Sequence, residues 1–272
     1  IVCREGSSTL TEPFHWSMSP KGNPAELLPS NEALVEIQDE VREYFGWHES
    51  DDLASAQELI HRVEASSIEN WARHRRAASL SKLYRRIVIR ASPIAVLGAA
   101  IEPEEVVRIL GTPTLIVAAD GASGVISELP RSLSDKAWSR MACIVSDADG
   151  GQGTIQAVMR CVPIILHAHG DNREDWLSLV EIAESQPHPS DLILTHQTSS
   201  TIDGMHNPGG FTDGDRAACF LTSLGVVPGL IMMYGTRTDI VGRWSGSTDE
   251  PRKMEKLRWM DRSLRIQGIW DD

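Results

Sequence analysis

A glycine-rich, charged segment at residues 207–217 has the composition of a site for phosphate and metal. It contains a run of candidate binding residues: Asn207, Gly209, Gly210, Thr212, Asp213, Asp215 and Arg216. Glycine lets backbone approach a ligand closely, carboxylates bind hard cations, and a guanidinium matches phosphate oxygens. We therefore predict that Arg216 contacts phosphate and that Asp213 and Asp215 lie near a metal ion. An ion pair between Arg216 and one of these aspartates is the alternative.

A second pair of carboxylates, Asp147 and Asp149, directly follows an apolar run that ends at Ser146. A turn can direct two such side chains at one cation. Mg²⁺ prefers oxygen ligands and commonly binds protein carboxylates and substrate phosphates at the same time. Taken alone, the pair has an equally good interpretation as a solvated turn. Asp120 and Asp171 follow two other apolar runs, which favours a metal site.

His167, His169 and Asp171 alternate at the end of another apolar run, so their side chains could face the same way. This spacing suits a transition metal in a dinuclear hydrolase. It also suits imidazoles that contact phosphate oxygens or line a substrate pocket. Trp176 and Trp244 lie near the same polar segments and could stack on a flat heterocycle, although core packing is the commoner use of tryptophan.

Short runs rich in Val, Ile and Leu predict buried parallel strands at 87–97, 114–119, 141–146, 163–166, 191–194 and 230–234. Helical segments are predicted between several of them, at 103–110, 173–184 and 213–224. This alternation predicts an α/β fold with a doubly wound, mostly parallel sheet. Parallel strands direct their carboxyl ends to one edge, so the polar clusters after each strand should meet there.

The first third of the chain is predicted to be separate from that sheet. Residues 1–30 are rich in proline and predict an irregular lead-in, and the apolar spacing after Ser30 predicts three helices. The third, at 68–86, carries five arginines and is a candidate for nucleic-acid binding, although a solvated face is favoured. We divide the chain into a lead-in with a helical subdomain (1–86) and an α/β catalytic domain (87–272).

Composition narrows the possible partners. The net charge of −12 disfavours nucleic acid and membrane surfaces and favours a small-molecule substrate. The four cysteines form no Cys-x-x-Cys pair, no apolar run is long enough to cross a bilayer, and residues 1–8 lack the order of a signal peptide. We expect a cytoplasmic protein, and a homo-oligomer remains open.

Four motifs occur in fixed order: Asp147-Ala-Asp-Gly150, His167-Ala-His-Gly-Asp-Asn172, Thr195-His-Gln197 and Gly209-Gly-Phe-Thr-Asp-Gly-Asp-Arg216. Together they resemble the motifs of archaeal 6-hydroxymethyl-7,8-dihydropterin diphosphokinases. The two longer strings are much more specific than a lone glycine motif. The similarity covers residues 85–265 and implies a fold similar to the catalytic domain of thiamine pyrophosphokinase. It also implies Mg²⁺, ATP, and diphosphate transfer to a pterin hydroxymethyl group, which releases AMP and serves tetrahydromethanopterin or folate biosynthesis.

On this interpretation Asp147, Asp149, Asp171 and Arg216 are catalytic, and Asp147, Asp149, Asp213 and Asp215 hold the metal. The residues expected to contact ATP or pterin are Asp120, His167, His169, Asn172, Gln197, Asn207, Gly209, Gly210 and Thr212.

The chain departs from the family pattern after its first predicted strand. The family usually has Gly-Pro-Ser there, whereas this chain has Gly98-Ala-Ala-Ile-Glu-Pro-Glu104. A second departure follows the last strand, where Gly235-Thr-Arg-Thr-Asp239 places Arg237 near a position at which the family tends to have aspartate. Two other hypotheses therefore stay open: a metal-dependent phosphohydrolase that uses His167, His169 and Asp171, and a nucleotide-binding protein without catalysis.

Overall fold

A parallel β-sheet forms the centre of the protein in a computed structural model that describes residues 26–246 and 249–270. The described residues form six strands, each almost entirely buried apart from the last: β1 Ile94–Leu97, β2 Leu115–Ala119, β3 Met141–Ser146, β4 Ile164–Ala168, β5 Leu192–His196 and β6 Ile231–Tyr234. Their order is β5-β4-β3-β2-β1-β6, and every pairing is parallel. The predicted α/β sheet is thus confirmed.

The strand order reverses next to β1. From β1 the chain proceeds through β2, β3, β4 and β5 in one direction, and then returns to add β6 on the other side of β1. In open parallel sheets, ligands bind outside the carboxyl ends of the strands where the order reverses. The loops after β1 and β6 therefore border the expected ligand cleft.

Helices cover both faces of the sheet. The described helices are α1 Ala33–Phe45, α2 Glu49–Glu64, α3 Arg73–Tyr84, α4 Pro103–Leu110, α5 Arg131–Arg140, α6 Gly151–Met159, α7 Arg173–Glu184, α8 Asp213–Leu224 and α9 Glu250–Ile266. One core lies between the sheet and α2, α4, α6 and α7, and the other lies between the sheet and α3 and α8. The helix α9 packs on the outside of α8 and against α1.

The N-terminal helical region shares its core with the sheet. Ala56, Leu59 and Val63 of α2 are fully buried in the same apolar cluster as strand residues of β1 to β5. The nitrogen Nε1 of Trp71 donates to the carbonyl oxygen of Ser190 at 2.9 Å, just before β5. The predicted helices are confirmed, and they pack directly onto the sheet. The division at residue 87 stays a prediction.

The junction between the helical region and the sheet differs from the prediction. The basic helix begins at Arg73 and continues through one π-helical turn, Arg85–Ile89, so these residues are not part of a strand. Ala91 then adopts a positive φ of 47°, Pro93 follows, and β1 begins at Ile94. A strand from residue 87 was therefore wrong, because a continuous apolar run does not distinguish a buried helical turn from a strand.

The face of the basic helix is only partly solvated. Arg76 is buried, and it donates to the carbonyl oxygen of Trp71 at 2.6 Å and to a carboxylate oxygen of Glu64 at 2.9 Å. Arg73 pairs with Glu64 and Asp203. Arg75 pairs with Glu69. Three of the five arginines are thus committed to acidic partners within the protein, which leaves less positive surface for a nucleic acid.

The remaining predicted elements lie close to their expected places. Three helices match their predicted ranges, whereas β4 and β5 each extend two residues further and include His167 and His196. The sequence predicted no helix at the positions of α5, α6 or α9. Residues 26–30 are irregular as expected, and the remainder of the lead-in, with Cys3, lies outside the described residues. Among the residues described, none of the helices combines the length and the apolar character that crossing a bilayer requires.

The loops after β1 and β6 touch each other. The amide of Ala100 donates to the carbonyl oxygen of Gly235 at 2.8 Å, and the amide of Gly98 donates to that of Tyr234 at 2.7 Å. Gly235 has a φ of 60°, and a Cβ at this position would lie 2.1 Å from the backbone nitrogen of Ile101. The altered Gly98 loop thus still makes a tight glycine-lined floor at the reversal point.

We expect Gly235→Ala to destabilise the protein, because the new methyl group meets backbone that cannot move aside and the left-handed φ disfavours alanine. The loss should be about 1–3 kcal/mol, typical of an overpacked site. The matched control is Gly229→Ala, where φ is not positive and nothing lies within 4 Å of the added Cβ. Denaturant unfolding of both variants measures the difference, and equal stabilities would contradict this account of the loop.

Candidate active site

Three carboxylates from three different elements meet at the carboxyl edge of the sheet. Asp120 follows β2, Asp147 follows β3, and Asp213 begins α8, and one oxygen of each lies within 4.8 Å of the others. Asp149 adjoins them through a hydrogen bond with Asp120. The structure therefore brings together four of the predicted aspartates from positions up to 93 residues apart along the chain.

Unusual backbone geometry directs these carboxylates. Asp120 and Ala148 have positive φ values of 45° and 79°, which are uncommon outside glycine and concentrate at functional sites. Gly150 lies against Asp120, where a Cβ would come within 2.2 Å of Oδ2 of that carboxylate. Ser146 and Thr154 donate their hydroxyls to Oδ1 of Asp120 and fix it in place. The turn after β3 can thus hold Asp147 and Asp149 beside Asp120.

The crowded carboxylates resist ionisation. Burial, together with the charges of Asp147 and Asp120, raises the pKa of Asp149 to about 9. Burial and the charge of a neighbouring carboxylate also raise the pKa of Asp120 and of Asp213 to about 7. Asp147 differs: burial would raise its pKa, but the hydrogen bond and charge of His169 and the charge of Arg216 hold it well below the usual value. If all four carboxyl groups were ionised, their negative charge would exceed the positive charge of Arg216 and His169 beside them.

The cluster fits a divalent cation. The oxygen Oδ1 of Asp147 is buried and has no hydrogen-bond partner among the described residues. A buried polar atom of this kind normally requires a partner. Carboxylate oxygens from Asp120, Asp147 and Asp213 form the hard donor set that Mg²⁺ prefers, and the described cluster contains no histidine or cysteine ligand.

Arg216 is the cation built into the cluster. It is almost fully buried, and its Nη1 lies 3.3 Å from Oδ2 of Asp147 and 3.3 Å from Oδ1 of Asp213. Its Nη2 donates to Oε1 of Gln197 at 3.1 Å. The alternative of an ion pair with a neighbouring aspartate is therefore present in the structure. In this position Arg216 also lines the cleft beside the carboxylates.

A buried hydrogen-bond chain connects Arg216 to the N-terminal helices. The nitrogen Nε2 of Gln197 donates to Oδ2 of Asp52 in α2 at 3.0 Å, and Asp52 also accepts from Nη1 of Arg42 in α1 at 3.1 Å. Arg42 donates in addition to the carbonyl oxygen of Gln197 at 2.7 Å. The other Asp52 oxygen accepts from the amide of Gly170 at 2.8 Å. The helical region thus helps to fix the orientation of the site.

His169 lies between two aspartates. Its Nδ1 lies 2.7 Å from Oδ1 of Asp171, and its Nε2 lies 3.3 Å from Oδ2 of Asp147. Burial would lower the pKa of His169, but the hydrogen bonds to these carboxylates raise it to about 9. The His169 hydrogen bond in turn lowers the pKa of Asp171 to about 2. At neutral pH His169 is therefore a cation beside the cluster.

His167 does not share this role. It is buried in β4, with Nδ1 3.1 Å from Oγ1 of Thr195 and Nε2 3.3 Å from Oε1 of Gln197. Burial lowers its pKa well below the usual value. Both of its ring nitrogens, like those of His169, face protein partners, so the pair does not present the free nitrogens that a dinuclear metal centre requires.

Two clefts meet at the carboxylates. The cleft at the strand reversal point, here called the switch-point cleft, has a volume of about 560 Å³ including space open to solvent, and Gly98, Gly235 and Trp244 are among its lining residues. The second, cationic cleft has a volume of about 460 Å³, and its lining residues include His169, Arg216 and Lys256. Asp149, Thr212, Asp213 and Lys253 line both.

Asp215 has a different role from the predicted one. It is fully buried and caps α8, accepting from the amides of Phe211 at 2.8 Å and Thr212 at 2.7 Å and from the hydroxyl of Thr212 at 2.7 Å. It lies outside the three-carboxylate cluster. We therefore correct its assignment from metal ligand to helix cap, because both of its oxygens already have strong donors.

Several other predicted contacts are structural. Asn172 donates to the carbonyl oxygens of Asp147 and His167 at 2.8 Å, and Asn207 bonds to Gln38 and Thr198. These amides hold loops in place and do not line either cleft within the described chain. Gln197 does line the cationic cleft, but its amide is shared by Arg216 and Asp52.

The glycines at 209 and 210 also serve packing. Both have positive φ values near 90°, and an added Cβ would meet Leu34 at the first and the backbone of Arg216 at the second. Trp176 is buried and donates to the hydroxyl of Ser55 at 3.1 Å, so it is a core residue and not a stacking platform. Trp244 lines the switch-point cleft and packs its ring against Gly124.

Sequence reasoning missed the contribution of α9 and of the corner between α1 and α2. Lys253 and Lys256 of α9, together with Trp47, line the cationic cleft. The spacing of Lys253, Lys256, Leu257 and Met260 matches one helical face, but nothing in the sequence says which element that face covers.

Two proteins of known name are similar to this chain, whereas no protein-family model matches it. One is 6-hydroxymethyl-7,8-dihydropterin pyrophosphokinase of Methanothermobacter thermautotrophicus, 34% identical over 168 residues, which are 58% of this chain and 64% of that protein. The protein of the same name from Pyrococcus furiosus is 30% identical over 129 residues, 47% of this chain and 48% of the relative. The matches span about half to two thirds of the relatives' lengths, and they confirm the resemblance drawn from the motifs.

The neighbouring aspartates of α8 give a matched pair of variants. We expect Asp213→Asn to weaken Mn²⁺ or Mg²⁺ binding without loss of stability, because it removes a ligand from a crowded cluster. Asp215→Asn should leave metal affinity intact and lower the free energy of unfolding by about 0.5–2 kcal/mol, because an amide cannot accept all three capping bonds. Titration calorimetry and thermal unfolding measure both effects. Loss of metal binding in a stable Asp215→Asn variant would show that Asp215 is a metal ligand after all.

The metal-free protein should lose stability as the pH rises from 6 to 9. A carboxyl group with a raised folded pKa keeps a proton that the unfolded chain loses near 3.8, so its contribution to stability falls from there up to about pH 7 for Asp120 and about pH 9 for Asp149. The stabilisation from protonated His169 is lost over the same range, because its folded pKa is about 9. Saturating Mg²⁺ should restore much of the loss at pH 9. Unfolding temperatures measured in chelator and in Mg²⁺ test this, and a flat profile in chelator would contradict it.

Proposed function

We propose that this protein transfers a diphosphate group from ATP to the hydroxymethyl oxygen of 6-hydroxymethyl-7,8-dihydropterin, with Mg²⁺, and releases AMP. The observation that carries the proposal is the carboxylate cluster of Asp120, Asp147 and Asp213 at the junction of the two clefts. Phosphoryl-type transfer depends on positioning and on charge neutralisation, and such a cluster beside Arg216 supplies both. The named relatives support the choice of substrates.

The switch-point cleft suits the nucleotide. Its floor is formed by loops that contain Gly98 and Gly235, which lets a ligand approach backbone closely, and it opens at the place where parallel sheets bind nucleotides. The triphosphate then extends past Asp149 and Asp213 into the cationic cleft. The switch-point loop differs from the family pattern in sequence but retains a glycine floor, which supports nucleotide binding.

The acceptor enters from the cationic cleft. An in-line displacement requires the attacking hydroxyl and the leaving oxygen to lie on opposite sides of the phosphorus atom. If AMP occupies the switch-point cleft, the pterin hydroxyl therefore approaches from the other side of the carboxylates. A bond forms between the hydroxymethyl oxygen and the β-phosphorus, the bond from the β-phosphorus to the oxygen of AMP breaks, and the hydroxyl proton is released.

Each charged side chain has a distinct place in this scheme. Asp147, Asp120 and Asp213, with Asp149 beside them, would hold Mg²⁺, whose positive charge would offset that of the phosphate groups. Arg216 pairs with two of these carboxylates and contacts phosphate oxygens beside them. Asp147 and Asp171 keep His169 protonated, and His169 adds a positive charge to the cationic cleft. These groups bind and orient the triphosphate.

The cellular role follows from the product. A pterin diphosphate has a good leaving group on its methylene carbon, so it is the substrate for a later alkylation that attaches the pterin to an amine. We propose a role in tetrahydromethanopterin or folate biosynthesis, in the cytoplasm of an archaeal cell, in line with the names and sources of the relatives. The acidic net charge agrees with small-molecule substrates.

The direct test is to incubate the protein with ATP, Mg²⁺ and 6-hydroxymethyl-7,8-dihydropterin and to identify the products by chromatography. We expect AMP and pterin diphosphate in equal amounts. Asp147→Asn should lower kcat by at least about 100-fold, because it replaces the unpaired carboxylate oxygen of Asp147 and retains the shape of the side chain. Glu69→Gln, far from the site and exposed, is the control and should be fully active.

Other products would point elsewhere. Release of ADP or of phosphate without AMP would contradict diphosphate transfer and favour hydrolysis. Binding of ATP without any turnover would favour a nucleotide-binding protein. Normal activity of the Asp147→Asn variant would show that the reaction does not need the carboxylate cluster.

A further inference from the structure

The face of α9 that covers the site carries two lysines. Lys253, Lys256, Leu257 and Met260 follow helical spacing and lie on one side of the helix. Leu257 and Met260 are buried and close the switch-point cleft, while Lys256 lines the cationic cleft and Lys253 lines both. The apolar part of this face thus anchors the helix, and its charged part lies beside the carboxylate cluster.

Neither ammonium group has an anionic protein partner. Within residues 26–246 and 249–270, the side chains of Lys253 and Lys256 donate no hydrogen bond and lie within ion-pair distance of no carboxylate. By contrast, Arg258 and Arg265 of the same helix pair with Glu255 and Asp261. Lys256 is also largely shielded from water, and burial lowers its pKa, with the charge of Lys253 acting in the same direction. A shielded cation without an anionic partner is costly unless an anion joins it.

Aromatic rings hold Lys256 in place. Its Nζ lies 5.4 Å from the ring centroid of Trp47 and 5.8 Å from that of Phe211. Phe45 stacks on Trp47 with centroids 4.8 Å apart, and Arg252 lies 5.2 Å from the Trp47 centroid. The rings of Trp47 and Phe211, which also line the cationic cleft, therefore lie beside the ammonium group of Lys256. This arrangement fits an ammonium that is oriented for a ligand.

We propose that Lys253 and Lys256 of α9 are the residues that contact the ATP phosphates opposite the carboxylate cluster, and this inference rests on the proposed function of the site. The position of each lysine defines its role. Lys253, at the junction of the two clefts, lies beside the bridging oxygen between the α- and β-phosphates and stabilises the charge that develops on departing AMP. Lys256, inside the cationic cleft, contacts the diphosphate that is transferred.

Binding experiments separate this proposal from the reaction itself. Affinities for inorganic tripolyphosphate, ATP and AMP are measured calorimetrically in the presence of Mg²⁺ for the full chain and for Lys253→Met and Lys256→Met. Methionine keeps an unbranched, flexible side chain that is one atom shorter and removes the ammonium group. Arg258→Met, which removes a cation from the exposed side of the same helix, is the matched control. Thermal unfolding verifies that each variant is folded, and Lys256→Arg tests whether a cation alone restores binding.

We expect Lys256→Met to weaken tripolyphosphate and ATP binding by about 10- to 100-fold, as for loss of a charge-assisted hydrogen bond, and to leave AMP binding unchanged. Lys253→Met should weaken all three ligands and also lower kcat by about 100-fold, because charge on the leaving oxygen grows in the transition state. Lys256→Arg should recover most of the tripolyphosphate affinity, and Arg258→Met should match the unaltered protein.

Two results have separate meanings. Wild-type affinity for tripolyphosphate in folded Lys253→Met and Lys256→Met variants would overturn the assignment of these lysines, even if the protein makes pterin diphosphate. Failure of the unaltered protein to release AMP with the pterin would contradict the proposed reaction. In that case the tripolyphosphate measurements still decide whether the two lysines bind polyphosphate.

Discussion

Electrostatic repulsion among buried carboxylates is the constraint on which the structure of this site depends. Asp120, Asp147, Asp149 and Asp213 lie together at the carboxyl edge of the sheet, and three of them have raised pKa values. Burying several carboxylates together is unfavourable unless cations or protons compensate. The fold therefore provides Arg216 and protonated His169 on one side, and we propose that a metal ion balances the remaining charge.

That constraint explains why so much of the chain outside the sheet contributes to the site. Arg216 is oriented by Gln197, which in turn is held by Asp52 and Arg42 from the N-terminal helices. The capping bonds of Asp215 set the start of α8, and so place Asp213 and Arg216 on its first turn. At the opposite side, α9 covers the clefts with two lysines. Elements from both ends of the chain thus converge on a few carboxylates.

Much of the fold was predictable because its signals are local. Continuous apolar runs mark β2 and β3, and the glycine after α1 ends that helix as expected, with a φ of 69°. The prediction was wrong at residues 87–89, where the apolar run belongs to a π-helical turn. The helix α9 was missed because its many charges obscure its apolar spacing. In both cases tertiary packing, which local composition does not report, decided the outcome.

For the site, the sequence by itself determined which residue types are present and that they follow strands, which was enough to expect a metal and phosphate site at one sheet edge. Only the tertiary structure decided which of these side chains are free to act. Asp213 faces the cluster while Asp215, two residues later, caps a helix. His169 is held between two carboxylates, whereas His167 is buried among neutral partners. Lys253 and Lys256 reach the site from an element with no sequence motif. The physical reason is that ligand binding depends on unsatisfied atoms that meet in space, and whether an atom is satisfied is settled by contacts between distant parts of the chain.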